Sequence, residues 1–157
     1  MIMGVPLDWR KGGGACVAGF DSVNCGVADM ISPWAVGAYS NQASTDSYKT
    51  NYLTPDLAYC ARTAKGYQPI IFPGFSWSNW NGGTENQIPR NKGLLFWQQA
   101  YNLRPLNINT AEIAMMDDYD EGTALLPMAD GYTVLPTNQY FFTPSPDSPY
   151  LSSVFYF

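Results

Sequence analysis

Four short apolar runs, spaced along the chain with amphipathic stretches between the later ones, constrain this sequence more than any other feature. "MIMGVP" at the start, "ADMISPWAVG" from Ala28 to Gly37, "YQPIIFPGFSW" from Tyr67 to Trp77 and "TAEIAMMDD" from Thr110 to Asp118 each read as a buried strand. Between the second and third runs, Asp46 to Lys65 carries Tyr48, Tyr52, Leu57, Ala58 and Ala61 at near-helical spacing, despite Pro55. Between the third and fourth, Gly93 to Leu103 is a second amphipathic candidate. Its start is predicted near Pro89, and Trp97, with Leu94 and Tyr101, is expected on the core face. Strand, helix, strand, helix, strand is the rhythm of a parallel α/β sheet, and continuous apolar strands are what a sheet covered on both faces requires. The stretch from Gly131 onward differs, with "TPSPDSP" at 143–149 reading as a turn or linker ahead of one more strand or a helical edge.

Composition narrows the partners. A net charge of −5, with the eight Lys and Arg scattered, offers no basic face for nucleic acid or an anionic membrane. The apolar runs are too short to span a bilayer, and no secretory signal follows Met1. With no histidine in the chain, Ser-His-Asp and Cys-His catalysis and His-based zinc sites are excluded. Of three cysteines, Cys16 and Cys25 are spaced to pair across a short loop, and three free thiols remain an open alternative.

Polar and aromatic residues collect where each strand ends: Asp8, Trp9 and Arg10; Ser32 and Trp34; Trp77, Asn79, Trp80 and Asn81. The fourth strand runs into "DDYDEGT", where Asp117, Asp118, Asp120 and Glu121 crowd four carboxylates into five positions. Ligands bind at the carboxyl ends of strands in parallel α/β folds, so these loops are expected to build one site. Three readings of the acids stand open. They form a solvated turn, or a calcium site without the EF-hand spacing, or a carboxylate pair of the kind glycoside hydrolysis uses. Trp and Tyr suit the last, because sugar rings present apolar C–H faces. Arg90, in "NQIPRNKG", either binds a carboxylate or caps surface charge.

The ordered segments "DMISPWAVGAY", "YLTPDLAYC", "IIFPGFSWSNWNGG", "NQIPRNKGLLFWQQ" and "AMMDDYDEGTA" together resemble bacterial glycoside hydrolases related to families 71 and 99. The resemblance runs from about Gly4 to about Leu126 and implies a (β/α)8 barrel acting on α-linked glycans, as an endo-α-mannosidase or α-1,3-glucanase does. Family 99 carries its catalytic pair in an E-W-H-E-G-T stretch, which falls here on Asp118-Tyr119-Asp120-Glu121-Gly122-Thr123. It implies that Glu121 is the general acid/base and that Asp118 is the second carboxylate, which activates the substrate's own 2-hydroxyl. Aspartate stands for glutamate at 118, one methylene shorter, and for histidine at 120. Trp77, Asn79, Tyr119 and Asp120 are expected to line the sugar site, with Trp34 and Arg90 behind them, and no cofactor is implied.

A complete barrel of this type takes about 250 residues, and this chain has 157. The expectation is therefore a partial (β/α)8 barrel, roughly strands 4 to 8. Residues 1–130 would be the C-terminal half of the catalytic domain, and 131–157 its trailing loop and final strand or helix. Such a half-barrel, a fragment or truncated relative of an exported enzyme, would expose strand edges and an apolar face. It is expected to self-associate and to be weakly active at most. A non-catalytic carbohydrate-binding protein on the same scaffold is the alternative.

Overall fold

Two strands near the start of the chain pair in parallel along their whole length: β1 (Ile2–Val5) and β2 (Met30–Pro33), with Gly4 beside Ser32 and Val5 beside Pro33. The computed structural model describes residues 1–12, 27–84 and 86–126, without the side chains of Asn79 and Trp80. Cys16, Cys25 and the trailing 131–157 segment lie outside the described residues. β3 (Gly66–Tyr67) extends the parallel ladder from β2, and β4 (Ile70–Ile71) pairs in parallel with β5 (Glu112–Ile113). The third apolar run is thus two short strands in place of one long one. Pro69 separates them and has no N–H to give a ladder, although its carbonyl accepts the Glu112 N–H at 2.9 Å. The described residues form an α/β fold whose parallel strands make two short ladders, β1–β2–β3 and β4–β5, an open, incomplete arrangement with the topology of a partial barrel.

Strand alternation divides the sheet's two faces. Val5, Ile31, Tyr67 and Ile71 point to the helices and join one core with Leu53, Cys60, Phe72, Leu95 and Leu103. Burying each large apolar side chain contributes about 1.5–3 kcal/mol. Trp9, read from sequence with the polar strand-end group, is fully buried in this core. Its indole donates to Asp56 Oδ2 at 3.1 Å, while Arg10 Nε donates to Oδ1 at 2.7 Å, tying the end of β1 to the helical layer. Burial raises the Asp56 pKa, and the bonds from Arg10 and Trp9 pull against it.

That layer begins with α1 (Gln42–Tyr48), capped by Asn41, whose Oδ1 accepts the Ser44 N–H at 2.9 Å. A π-helical turn, Lys49–Leu53, leads into α2 (Thr54–Arg62). The widened turn sits directly ahead of Pro55, where an α-helical amide bond cannot form. After a short helix α3 (Ser78–Asn81), α4 spans Leu94–Leu103. It starts later than Pro89 because Asn91, Lys92 and Gly93 all have positive φ, at 49°, 54° and 83°, outside the helical region.

The orientation of α4 corrects the sequence reading. Leu94, Trp97 and Tyr101 are 67%, 59% and 59% exposed, whereas Leu95, Gln99, Asn102 and Leu103 are buried. The reason is hydrogen bonding. Gln99 Nε2 donates to the carbonyls of Phe72 (2.8 Å) and Leu95 (3.0 Å). Its Oε1 accepts from the Phe72 amide (2.9 Å) and the Tyr39 hydroxyl (2.8 Å). Asn102 Nδ2 reaches Asp46 Oδ1 at 2.8 Å on α1. Each buried polar group left unpaired costs about 1–3 kcal/mol, so the inward face is the one that meets these partners. Gln99→Leu is accordingly expected to lower urea-unfolding stability by about 3 kcal/mol or more. Trp97→Ala is expected to stay within about 0.5 kcal/mol of wild type; a large loss on Trp97→Ala would contradict this orientation.

Candidate functional site

The acid-rich segment follows β5 directly and folds back on itself. Ala114 still donates to Ile71 O at 3.0 Å; the next amide, Met115, bonds instead to Thr123 O at 3.2 Å, and Leu125 N returns to Met115 O at 3.1 Å. Within this closed loop the carbonyl of Asp118 accepts the amides of Thr123 (3.1 Å) and Ala124 (2.9 Å). Its carboxylate braces the same turn: Oδ2 accepts the Thr123 hydroxyl at 2.7 Å and Oδ1 the Glu121 amide at 3.3 Å. This is what short Asp side chains do in turns. Gly122, at φ 67°, supplies the left-handed residue the reversal needs.

Two outside groups fix the loop through its backbone. Ser76 N donates to Glu121 O at 2.7 Å. Arg90 is buried, and its Nη2 donates to Gly122 O at 2.9 Å and Ala124 O at 2.6 Å. Arg90 reaches them because Phe75 and Ile88 form an antiparallel bridge, with Gly74 beneath the arginine stem. A Cβ at Gly74 would lie 2.8 Å from Arg90 Cγ and 2.9 Å from Ile88 O. Neither distance is sterically allowed.

The half-buried Glu121 has its pKa raised, first by burial and then by the charges of Asp118 and Asp120. It therefore holds its proton to a higher pH than an ordinary carboxyl, the state a general acid needs. Tyr119 and Asp120 stand exposed on the same loop. Trp77 follows Ser76, whose amide bonds the loop, and is half-buried, edge-on to Phe75 with ring centroids 4.8 Å apart. Asn79 lies in α3, and its side chain is outside the described residues. Trp34 is not part of this group: it borders a separate cleft with Ser32 and Glu112. Among the described residues, no three Asp, Glu or Cys side chains gather closely enough to hold a metal. None of their helices is long and apolar enough to cross a membrane.

Sequence reasoning passed over Ser76 and Gly74, whose roles run through backbone atoms and leave no motif. It also passed over Glu112, which strand alternation places on the face opposite Ile113.

Two outcomes follow. In a 13C-carboxyl titration, Asp120→Asn should lower the apparent pKa of Glu121, because one of the charges that raise it is removed; no change would show that the two do not interact. Arg90→Met should speed hydrogen exchange at the Thr123 and Ala124 amides by about tenfold or more, since two carbonyls of the loop lose their donor. Unaltered exchange there would mean the arginine does not hold the loop.

Neither a protein-family model nor a curated protein matches this chain. Among solved structures it is similar to the GH99 endo-alpha-mannosidase from Bacteroides thetaiotaomicron. The TM-score is 0.62 at 16% sequence identity, over 98% of this chain and 42% of that one. A second structure of that enzyme, in complex with bis-tris-propane, gives a TM-score of 0.58 at 15% identity, over 88% of this chain and 42% of that one. The chain thus spans 42% of the length of the structures it resembles, and the likeness is one of fold: an incomplete α/β barrel related to that of a carbohydrate-active enzyme.

Proposed function

We propose that this chain carries the carboxylate-bearing part of a glycoside hydrolase site for α-linked glycans of the α-mannan or α-glucan type. Residues 1–130 are then the C-terminal half of a catalytic domain. The observation that carries the reading is Glu121. It is a half-buried carboxyl with a raised pKa, on a backbone-clamped loop at the carboxyl end of a parallel strand. As general acid, Glu121 gives its proton to the departing glycosidic oxygen and, as general base, takes one back from the attacking group. Asp118 is the second carboxylate, and the fit of its shorter arm rests on how much of its charge remains available beyond Thr123 and the Glu121 amide. Trp77 and Tyr119 offer rings to the sugar's C–H face, and Asp120 and Asn79 bind hydroxyls. Arg90 acts by positioning the loop.

One observation favours a second reading, a carbohydrate-binding protein without chemistry. Both oxygens of Asp118 already accept hydrogen bonds from its own turn. In either case the open sheet edges favour association between copies of the chain.

The two readings part on one experiment. Wild type and Glu121→Gln are incubated with α-linked manno- and gluco-oligosaccharides, with reducing-end release and binding both measured. The hydrolase reading expects slow release by wild type, a loss of at least about 100-fold in the variant, and binding retained in both. Binding without release by wild type selects the second reading, and release undiminished in Glu121→Gln removes the glutamate from the mechanism.

A further inference from the structure

An open cleft of about 510 Å³ has a lining that includes Gly4, Pro6, Ser32, Trp34, Ile70 and Glu112. None of the acid-loop residues lines it. Parallel register sets Gly4 beside Ser32 and Ile70 beside Glu112, the Ser32–Glu112 hydrogen bond joins the two pairs, and Val5 and Pro6 add the end of β1 to the lining. The volume falls within the usual range for small-molecule sites, about 300–1,000 Å³.

Three features of the lining bear on a ligand. Trp34, 45% exposed, presents an aromatic ring at the cleft's border. Glu112 reaches from β5 to β2, where its Oε2 accepts the Ser32 hydroxyl at 3.2 Å. A carboxylate accepts up to about four hydrogen bonds, so the bond from Ser32 orients Glu112 and leaves acceptor sites over. Gly4 leaves the floor open, since a Cβ built there would meet nothing within 4 Å. A ligand matching an aromatic face, an oriented carboxylate and apolar walls has C–H faces and hydroxyl donors together, which describes a saccharide ring.

We propose that this cleft is a saccharide subsite distinct from the acid loop, with Trp34 as the stacking platform and Glu112, oriented by Ser32, as the hydroxyl acceptor. The inference rests on reading the chain as carbohydrate-active and adds to it a second place where the glycan is held.

The test uses the full chain and calorimetric titration with two probes, an α-linked mannotriose and an α-1,3-linked glucotriose. Wild type is expected to bind at least one of them. Trp34→Ala, Glu112→Gln and Gly4→Leu should each weaken that binding by about tenfold or more, while Trp97→Ala, on the outer face of α4, should leave it unchanged. Gly4→Leu fills the cleft and should retain the wild-type circular dichroism spectrum and melting temperature; if it unfolds, the other two variants decide. Binding unaffected by the cleft variants but weakened by Tyr119→Ala overturns the subsite and leaves the carbohydrate reading standing. Failure of wild type to bind either probe overturns both.

Discussion

The carboxamide of Gln99 treats the peptide of Phe72 as a neighbouring strand would. It accepts the amide hydrogen and donates to the carbonyl of the same residue, at 2.9 and 2.8 Å, just past the point where β4 ends. The sheet thereby continues into a side chain. Because that side chain also bonds Tyr39 and its own helix at Leu95, the strand, α4 and the segment before α1 are locked at one buried point. The Tyr39 ring packs on both Phe72 and Tyr48. With α4 fixed in rotation, Asn102 and Gln98 fall opposite Asp46, whose carboxyl they hold below its ordinary pKa. Most of the helical layer's placement follows from where this one amide finds its partners.

A second backbone-directed contact orders the loop that follows β5. Arg90 stands on Gly74 and reaches two carbonyls across the loop, while Ser76, two residues beyond that glycine, holds a third. The segment from Gly74 to Arg90 is therefore the mould in which the acid loop is cast. Sheet, mould and loop form a single chain of dependence, because Phe72, held by Gln99, is only two residues before Gly74.

The sequence made the parallel strands legible because Val5, Ile31 and Ile71 lie in apolar runs, but the double coverage those runs predict is not met: Ile2 and Ile113 are exposed, and an open cleft borders Gly4 and Glu112. The sequence made the acid loop legible as a strand-end feature through the same runs. The rotation of α4 escaped it. Counting apolar residues gives Trp97 more weight than Gln99, whereas the folded chain obeys the satisfaction of buried amides. The break at Pro69 was visible as a residue but not as a change of sheet partner, since that depends on the Glu112 amide finding the Pro69 carbonyl. Arg90's part was hidden because its acceptors are carbonyls, which every residue possesses. Trp34 was legible as a strand-end aromatic beside Ser32, yet its grouping with Glu112 depends on a side-chain bond between Ser32 and Glu112 that no motif announces.

The clamp on the acid loop has an evolutionary consequence. Ser76 and Arg90 grip carbonyl oxygens, so they hold the path of the chain through Glu121, Gly122 and Ala124 without touching a side chain, although Gly122 is needed for its positive φ and Ala124 for its small, fully buried methyl. Asp118 and Thr123 write their side chains into the turn. An isosteric exchange of acid for amide at positions 120 and 121 leaves those backbone bonds untouched. A loop built in this way keeps its shape through such a gain or loss of chemistry.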